Sequence, residues 1–136
     1  MTPETVIADT ETVCRFIYDD NLIYSVDQRP KPGVFLPMFE LDLNRHETSL
    51  CHLVCEDARV WQLGCEARPK QTLKARADFT VSVATAARLR CLSSPVKDFP
   101  EHAVLIDWPA GKAEQKAIAI AIARNCPAVT DRPALQ

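Results

Sequence analysis

The stretch RHETSLCHLVCEDARVWQLGC, residues 45–65, contains the point at which the sequence changes from a strand pattern to a helix pattern. Residues 48–54 place apolar side chains on both faces of an extended chain, which is typical of a strand that is partly buried on each side. Further along, Ala58, Trp61 and Cys65 recur at helical spacing, after two acidic residues that favour a helix N-terminus. Val60 and Leu63 flank this predicted face. The stretch therefore predicts a strand followed at once by a helix.

Further elements follow from hydrophobic periodicity and from turn residues. Strands are predicted at 14–18, 22–26, 34–38, 39–43, 89–93 and 103–107, with the first two in a hairpin, and a helix at 112–125. Residues 28–33 contain two prolines, which predict an extended loop rather than a helix. Residues 79–88 fit both a strand and a helix, and their length and alanines favour a helix that Asp78 caps. The helix at 112–125 has a broad apolar face and should be largely buried.

This order of elements predicts a single α+β domain with a mixed, mostly antiparallel sheet and about three helices packed on it. We expect a flexible acidic N-terminal tail at 1–12, the domain at 13–126 and a flexible C-terminal tail at 127–136. The chain has 136 residues, of which 47% are apolar and 25% are charged, as in ordinary globular domains.

The composition also indicates a compartment and excludes several classes of site. There is no basic, apolar leader and no run of about 18 apolar residues, so we expect a cytoplasmic protein that does not enter a membrane. Its six cysteines should then be reduced thiols. Only three glycines are present, none of them in a phosphate-binding loop, and the usual serine-hydrolase, zinc-protease and calcium motifs are absent.

The cysteines and histidines near residue 50 raise the question of a metal site. The candidate ligands are Cys51, Cys55, Cys65 and either His46 or His52. Thiolate and imidazole suit zinc, but the chain has no CxxC pair, and free cysteine is commonly a small buried apolar residue. We therefore predict packing and no cofactor, with zinc as the alternative. Cys55 as a reactive thiol is a further alternative, but His52 would point to the opposite face of a strand.

A basic stretch follows the first helix and could bind phosphate groups. Its cations are Arg68, Lys70, Lys74 and Arg76. Closely spaced cations can contact several phosphates, which predicts nucleic-acid or anion binding as one alternative function. Because aromatic residues make up only 7% of the chain, few side chains are available to stack on bases.

An enzymatic alternative uses charged residues near the predicted strand at 103–107. A small hydrolase or transferase would employ Arg76, Asp78, His102 and Lys112, since these residue types can act as acids, bases and anion ligands. No spacing in the sequence brings the four together. The favoured function is instead that of a binding or accessory domain that pairs with a protein partner or with a second copy of itself. An exposed strand edge near 34–37 or 103–107 would support this pairing.

Overall fold

The structure is a computed structural model that describes residues 4–133. The strands are β1 (Thr5–Val6), β2 (Thr12–Ile17), β3 (Met38–Glu40), β4 (Arg45–His52), β5 (Ala75–Thr80), β6 (Arg90–Ser93), β7 (His102–Ile106) and β8 (Thr130–Asp131). The helices are α1 (Asp57–Ala67), α2 (Val81–Ala86) and α3 (Lys112–Arg124), and 3₁₀ helices span Asp20–Leu22 and Pro32–Phe35.

The strands form one sheet in the order β1-β6-β7-β4-β2-β5-β8, and β3 pairs with β4. Every strand pairing within residues 4–133 is antiparallel, so the mixed component of the predicted sheet is not found there. The α+β class and the single domain are confirmed. A membrane-crossing helix is not found in the described part of the chain, since none there is both long enough and apolar enough.

The sheet has an apolar cluster on each face, as the pattern at 48–54 predicts. On one face, Leu50 of β4 joins the main core, to which α3 contributes Ala119 and Ile122. On the other face, Cys51 lies in a smaller cluster beneath α1. Successive residues of a strand point to opposite faces, and here each of the two is buried against a different helical layer.

The buried side of α1 differs from the predicted side. Val60, Leu63 and Gly64 are buried, whereas Ala58 is exposed and Trp61 is only partly buried. A helix with apolar residues on several sides can be docked in more than one rotation. The close fit of Gly64 selects this rotation, because a Cβ there would lie 2.7 Å from side-chain atoms of Leu73 and Phe16.

The ambiguous segment at 79–88 is part strand and part helix. Residues 75–80 form β5, which pairs with β2 over its whole length, and only Val81–Ala86 are helical. The predicted capping by Asp78 is therefore wrong, since this residue lies within the strand. Pairing with β2 outweighs local helix propensity here, as tertiary contacts often do.

Three predictions between residues 22 and 38 are also wrong. One is the strand at 34–38, since residues 34 and 35 lie in a 3₁₀ helix and only Met38 belongs to a strand. The predicted strand at 22–26 makes only one bridge, between Ile23 and Pro30, and forms no hairpin with β2. The proline-rich loop contains a 3₁₀ helix that begins at Pro32. Proline is well tolerated at the first helical position, because its missing N–H has no intrahelical partner there.

Both chain ends contribute to the sheet beyond the predicted domain of 13–126. Thr5 and Val6 pair with β6, and Ile7 is buried in the main core. Near the other end, β8 pairs with β5. The outermost parts of the predicted tails, residues 1–3 and 134–136, lie outside the described residues.

Candidate binding site

The six cysteines are free thiols. Cys51 is fully buried under α1, where it lies directly opposite Cys14 of β2. Cys55 and Cys65 are partly exposed. Burial is the main cause that raises the pKa of Cys55, and a neighbouring Glu101 raises it further, which does not favour a reactive thiolate.

The histidines of this region do not complete a metal site with these thiols. His46 lies on β4 against the ring of Phe39, with the ring centres 5.0 Å apart. The Nε2 of His52 is 3.1 Å from Oε1 of Glu11. Within residues 4–133, no three His, Cys, Asp or Glu side chains are grouped so as to hold a metal ion.

Arg76 is buried, unlike the other cations of the basic stretch. Its side chain is only 7% exposed, because β5 directs it beneath α1. The Nη2 atom donates to Oδ1 of Asp57 at 3.2 Å, and the guanidinium lies over the ring of Trp61. Its Nε is 3.1 Å from Oδ1 of Asp78, an ionic contact without hydrogen-bond alignment. The charge of Arg76 is thus engaged within the fold.

The remaining basic residues of the stretch are exposed. Arg68 lies over the ring of Tyr18, with its guanidinium carbon 5.5 Å from the ring centre. Lys74 approaches Asp20 at 3.9 Å, and Lys70 makes no ion pair with a residue of the described chain. The structure therefore presents three surface cations in this stretch instead of four.

The four residues of the enzymatic alternative are not brought together. Arg76 and Asp78 are adjacent on the α1 side of β5. His102 begins β7, where its Nδ1 is 2.8 Å from the carbonyl oxygen of Ser94. Lys112 begins α3, in the helical layer on the opposite face of the sheet.

A large groove lies between α3 and the segment at residues 24–37. Its volume is about 990 Å³. Its apolar lining comes from Tyr24, Pro30, Pro32, Leu36, Pro37, Ile120 and Ala123. We call this feature the α3 groove.

Cations surround the α3 groove. Lys112, Lys116 and Arg124 line it, and none of them forms an ion pair with a described carboxylate. Arg29 also lines it but donates to carbonyl oxygens at the end of α3, among them that of Arg124 at 2.6 Å. Among the described lining residues, Asp27 is the single carboxylate, so the groove attracts negative charge.

The β3–β4 hairpin exposes large apolar side chains on both of its faces. We call residues 38–47 the arm. Met38 is 69% exposed and Leu41 is 81% exposed, and Phe39 and Leu43 are each about half exposed. Glu40 and Asp42 alternate with these residues. Within residues 4–133, β3 pairs only with β4, so its other edge is open.

Neither of the two predicted pairing edges is formed. The segment near 34–37 is not a strand, because Val34 and Phe35 lie buried in a 3₁₀ helix, and the arm begins directly after it. The other predicted edge, at 103–107, is absent because β7 lies inside the sheet between β6 and β4. The sequence signal for the arm was the alternation of acidic and leucine residues in ELDL, which predicts a strand. The strand instead ends at Glu40, and residues 41–44 form the turn of the hairpin.

A second cavity, of about 410 Å³, lies between the end of α1, β2, β4 and the loop before β7. Arg15, Phe16, Arg68, Lys97 and Phe99 are among the residues that line it. We call it the Arg15 cavity. Its cations come from three distant parts of the sequence, so no local motif indicated it.

Comparisons of this chain with known protein families, with curated proteins and with solved structures identify no match.

Proposed function

We propose that this protein is a binding module that self-associates, with the arm of each copy docked in the α3 groove of a second copy. The observation that carries the proposal is the exposure of Leu41 and Leu43 on an arm whose outer edge is unpaired. Exposed apolar patches on a globular chain commonly mark interaction surfaces. An open strand edge offers further backbone hydrogen bonds.

Charge complementarity selects a second copy as the occupant. The arm presents Glu40 and Asp42 between its leucines, while the α3 groove combines an apolar lining with Lys112 and Lys116. An acidic apolar segment and a basic apolar groove on one chain favour a two-fold arrangement in which every contact occurs twice. Nucleic-acid binding has less support, because the charge of Arg76 is held by Asp57 and Asp78.

Charge reversal of one side at a time tests this arrangement. Asp42→Lys and Lys116→Glu should each weaken self-association at least about tenfold, because each places like charges together in both contacts of the dimer. An equimolar mixture of the two variants should restore association. In the mixed dimer, both contacts again join opposite charges. Sedimentation velocity and light scattering on the wild-type chain, each variant and the mixture provide the measurement.

Lys70→Glu is the matched control, since Lys70 is exposed, unpaired with any described carboxylate and not among the residues that line the groove. It should associate like the wild-type chain. Leu41→Glu should also prevent association, because a carboxylate would then enter the apolar groove. A wild-type chain that stays monomeric at about 100 µM would overturn the proposal. Failure of the mixture to associate would also overturn it.

A further inference from the structure

The Arg15 cavity exists because β2 and β4 stop pairing after two residue pairs. Val13 lies opposite His52 and Cys14 opposite Cys51, and the strands then separate. The side chain of Arg15 occupies the opening. Its Nε donates to the carbonyl oxygen of Val34 at 3.1 Å, and its Nη1 donates to that of Ser49 at 2.9 Å.

The charge of Arg15 has no counter-charge in this position. Arg15 forms no ion pair with a carboxylate of residues 4–133. Burial is the main cause that lowers its pKa from the ordinary arginine value, and the nearby charge of Arg68 lowers it further. A guanidinium removed from water without a counter-ion is costly, so a bound anion would stabilise this arrangement.

The donor capacity of Arg15 is also incomplete. Its Nη2 has no acceptor among the described residues, and it is not sealed from solvent. The cavity lining adds Arg68 and Lys97, and the carboxylates of Glu66 and Asp98 oppose them. The lining therefore carries three cations against two carboxylates, which leaves the cavity with a net positive charge.

The apolar walls of the cavity indicate that its ligand has an apolar part as well as a negative charge. Phe16, Leu63, Val96 and Phe99 line it with apolar surface. Its volume of about 410 Å³ lies within the range of small-molecule sites. A simple inorganic ion would leave these walls in contact with water, whereas an apolar group attached to the anion would cover them.

We propose that the Arg15 cavity binds a small organic acid, whose carboxylate accepts from Nη2 of Arg15 while its apolar body packs against Phe16 and Phe99. Carboxylate oxygens match the planar guanidinium, and hydrogen bonds between charged groups are the strong ones. Lys97 lies at the same cavity and adds attraction for the carboxylate. The inference does not depend on self-association, since the Arg15 cavity and the α3 groove share no lining residue.

Calorimetric titration of the wild-type chain with 3-phenylpropionate tests the inference, with 3-phenylpropan-1-ol as the neutral match. We expect the acid to bind at least about tenfold more tightly than the alcohol, because only the acid supplies the counter-charge. Inorganic phosphate should bind more weakly than the acid, because it lacks an apolar body. Equal binding of acid and alcohol, or tighter binding of phosphate, would overturn the assignment.

Two variants locate the binding. Arg15→Gln should reduce the affinity for 3-phenylpropionate at least about tenfold, and Arg88→Gln, at an exposed arginine outside the cavity lining, should leave it unchanged. Because Arg15 is partly buried, Lys97→Glu provides a second variant on an exposed side chain and should weaken binding about threefold or more. Unchanged affinity in Lys97→Glu and in a folded Arg15→Gln would show that the acid does not bind here.

Discussion

At the scale of single residues, Arg76 shows how a cation in a basic stretch can serve the fold. Register with β2 places Arg76 opposite Phe16 and Asp78 opposite Cys14, so both charged side chains lie on the α1 side of the sheet. Burial is the main cause that raises the pKa of Asp78, and the charge of Arg76 opposes this rise. Each charge therefore depends on the other.

Arg76→Gln should lower the free energy of unfolding by about 1–3 kcal/mol at neutral pH, because it leaves Asp78 without its counter-charge. Loss of the positive charge of Arg76 should raise the pKa of Asp78 further. A carboxyl whose folded-state pKa exceeds its unfolded-state pKa destabilises the fold above the unfolded-state pKa, and this cost disappears as the pH falls below it. The loss should therefore shrink toward acidic pH in urea unfolding measured across pH.

Lys70→Gln, on an exposed side chain of the same stretch, is the control and should change stability by less than about 0.5 kcal/mol. An equal loss of stability in both variants would contradict the structural role of Arg76. A loss in Arg76→Gln that stays constant from neutral to acidic pH would contradict the role assigned to Asp78.

At the scale of elements, α3 illustrates the limits of an apolar pattern. Its isoleucines and alanines predict a helix that is largely buried, yet only one stripe is covered, formed by Gln115, Ala119, Ile122 and Ala123. Ile118 and Ile120 are partly buried, and Ala121 is exposed. The uncovered side of α3 includes residues that line the α3 groove. The side of α3 that the sequence wrongly predicts to be buried is therefore the side that the proposed function uses.

Ile122→Ala should therefore cost about 2–5 kcal/mol of stability, because Ile122 is fully buried and its loss leaves a cavity in the main core. Ile118→Ala removes the same atoms from a partly buried position and should cost clearly less, below about 2 kcal/mol. Denaturant unfolding of both variants gives the comparison. Equal costs would show that the whole apolar face of α3 is buried alike.

At the scale of the whole molecule, helices on both faces of one sheet distribute the thiols between two interiors. Cys91 and Cys126 lie in the main core, and burial raises the pKa of each to about 12. Cys14 and Cys51 lie beneath α1, and the pKa of Cys14 is raised well above its ordinary value by its contact with Cys51 and by burial. Burial protects all four thiols, and the raised pKa values of Cys14, Cys91 and Cys126 favour the protonated form of these three as well.

Iodoacetamide labelling of the native protein at about pH 8, read by peptide mass spectrometry, should accordingly reach only Cys55 and Cys65, because these two thiols are partly exposed to the reagent. After unfolding in urea, all six thiols should react. Rapid labelling of Cys51 in the native protein would contradict the close packing of α1 on the sheet. A tightly bound metal on Cys55 or Cys65 would instead protect those two residues.

The sequence by itself determined the elements whose patterns are local. Periodicity and terminal residues predict the strand and the helix that begin within 45–65, the strands near 89–93 and 103–107, and the helix from Lys112. Together these elements fix the α+β class. These features are set by interactions among residues close in the chain, so the order of residues is enough to indicate them.

The tertiary structure alone decided the sheet order, the rotation of α1 and the two candidate sites. Strand pairing decided that residues 75–80 extend beside β2, and the fit of Gly64 against Leu73 and Phe16 decided which side of α1 is buried. Arg15 and Arg76 show the same limit. Arg15 lacks a counter-charge, and Arg76 has one in its sequence neighbour Asp78 and a second in Asp57, 19 residues away in the chain. Burial and charge pairing depend on distances between such residues, which the one-dimensional pattern does not contain.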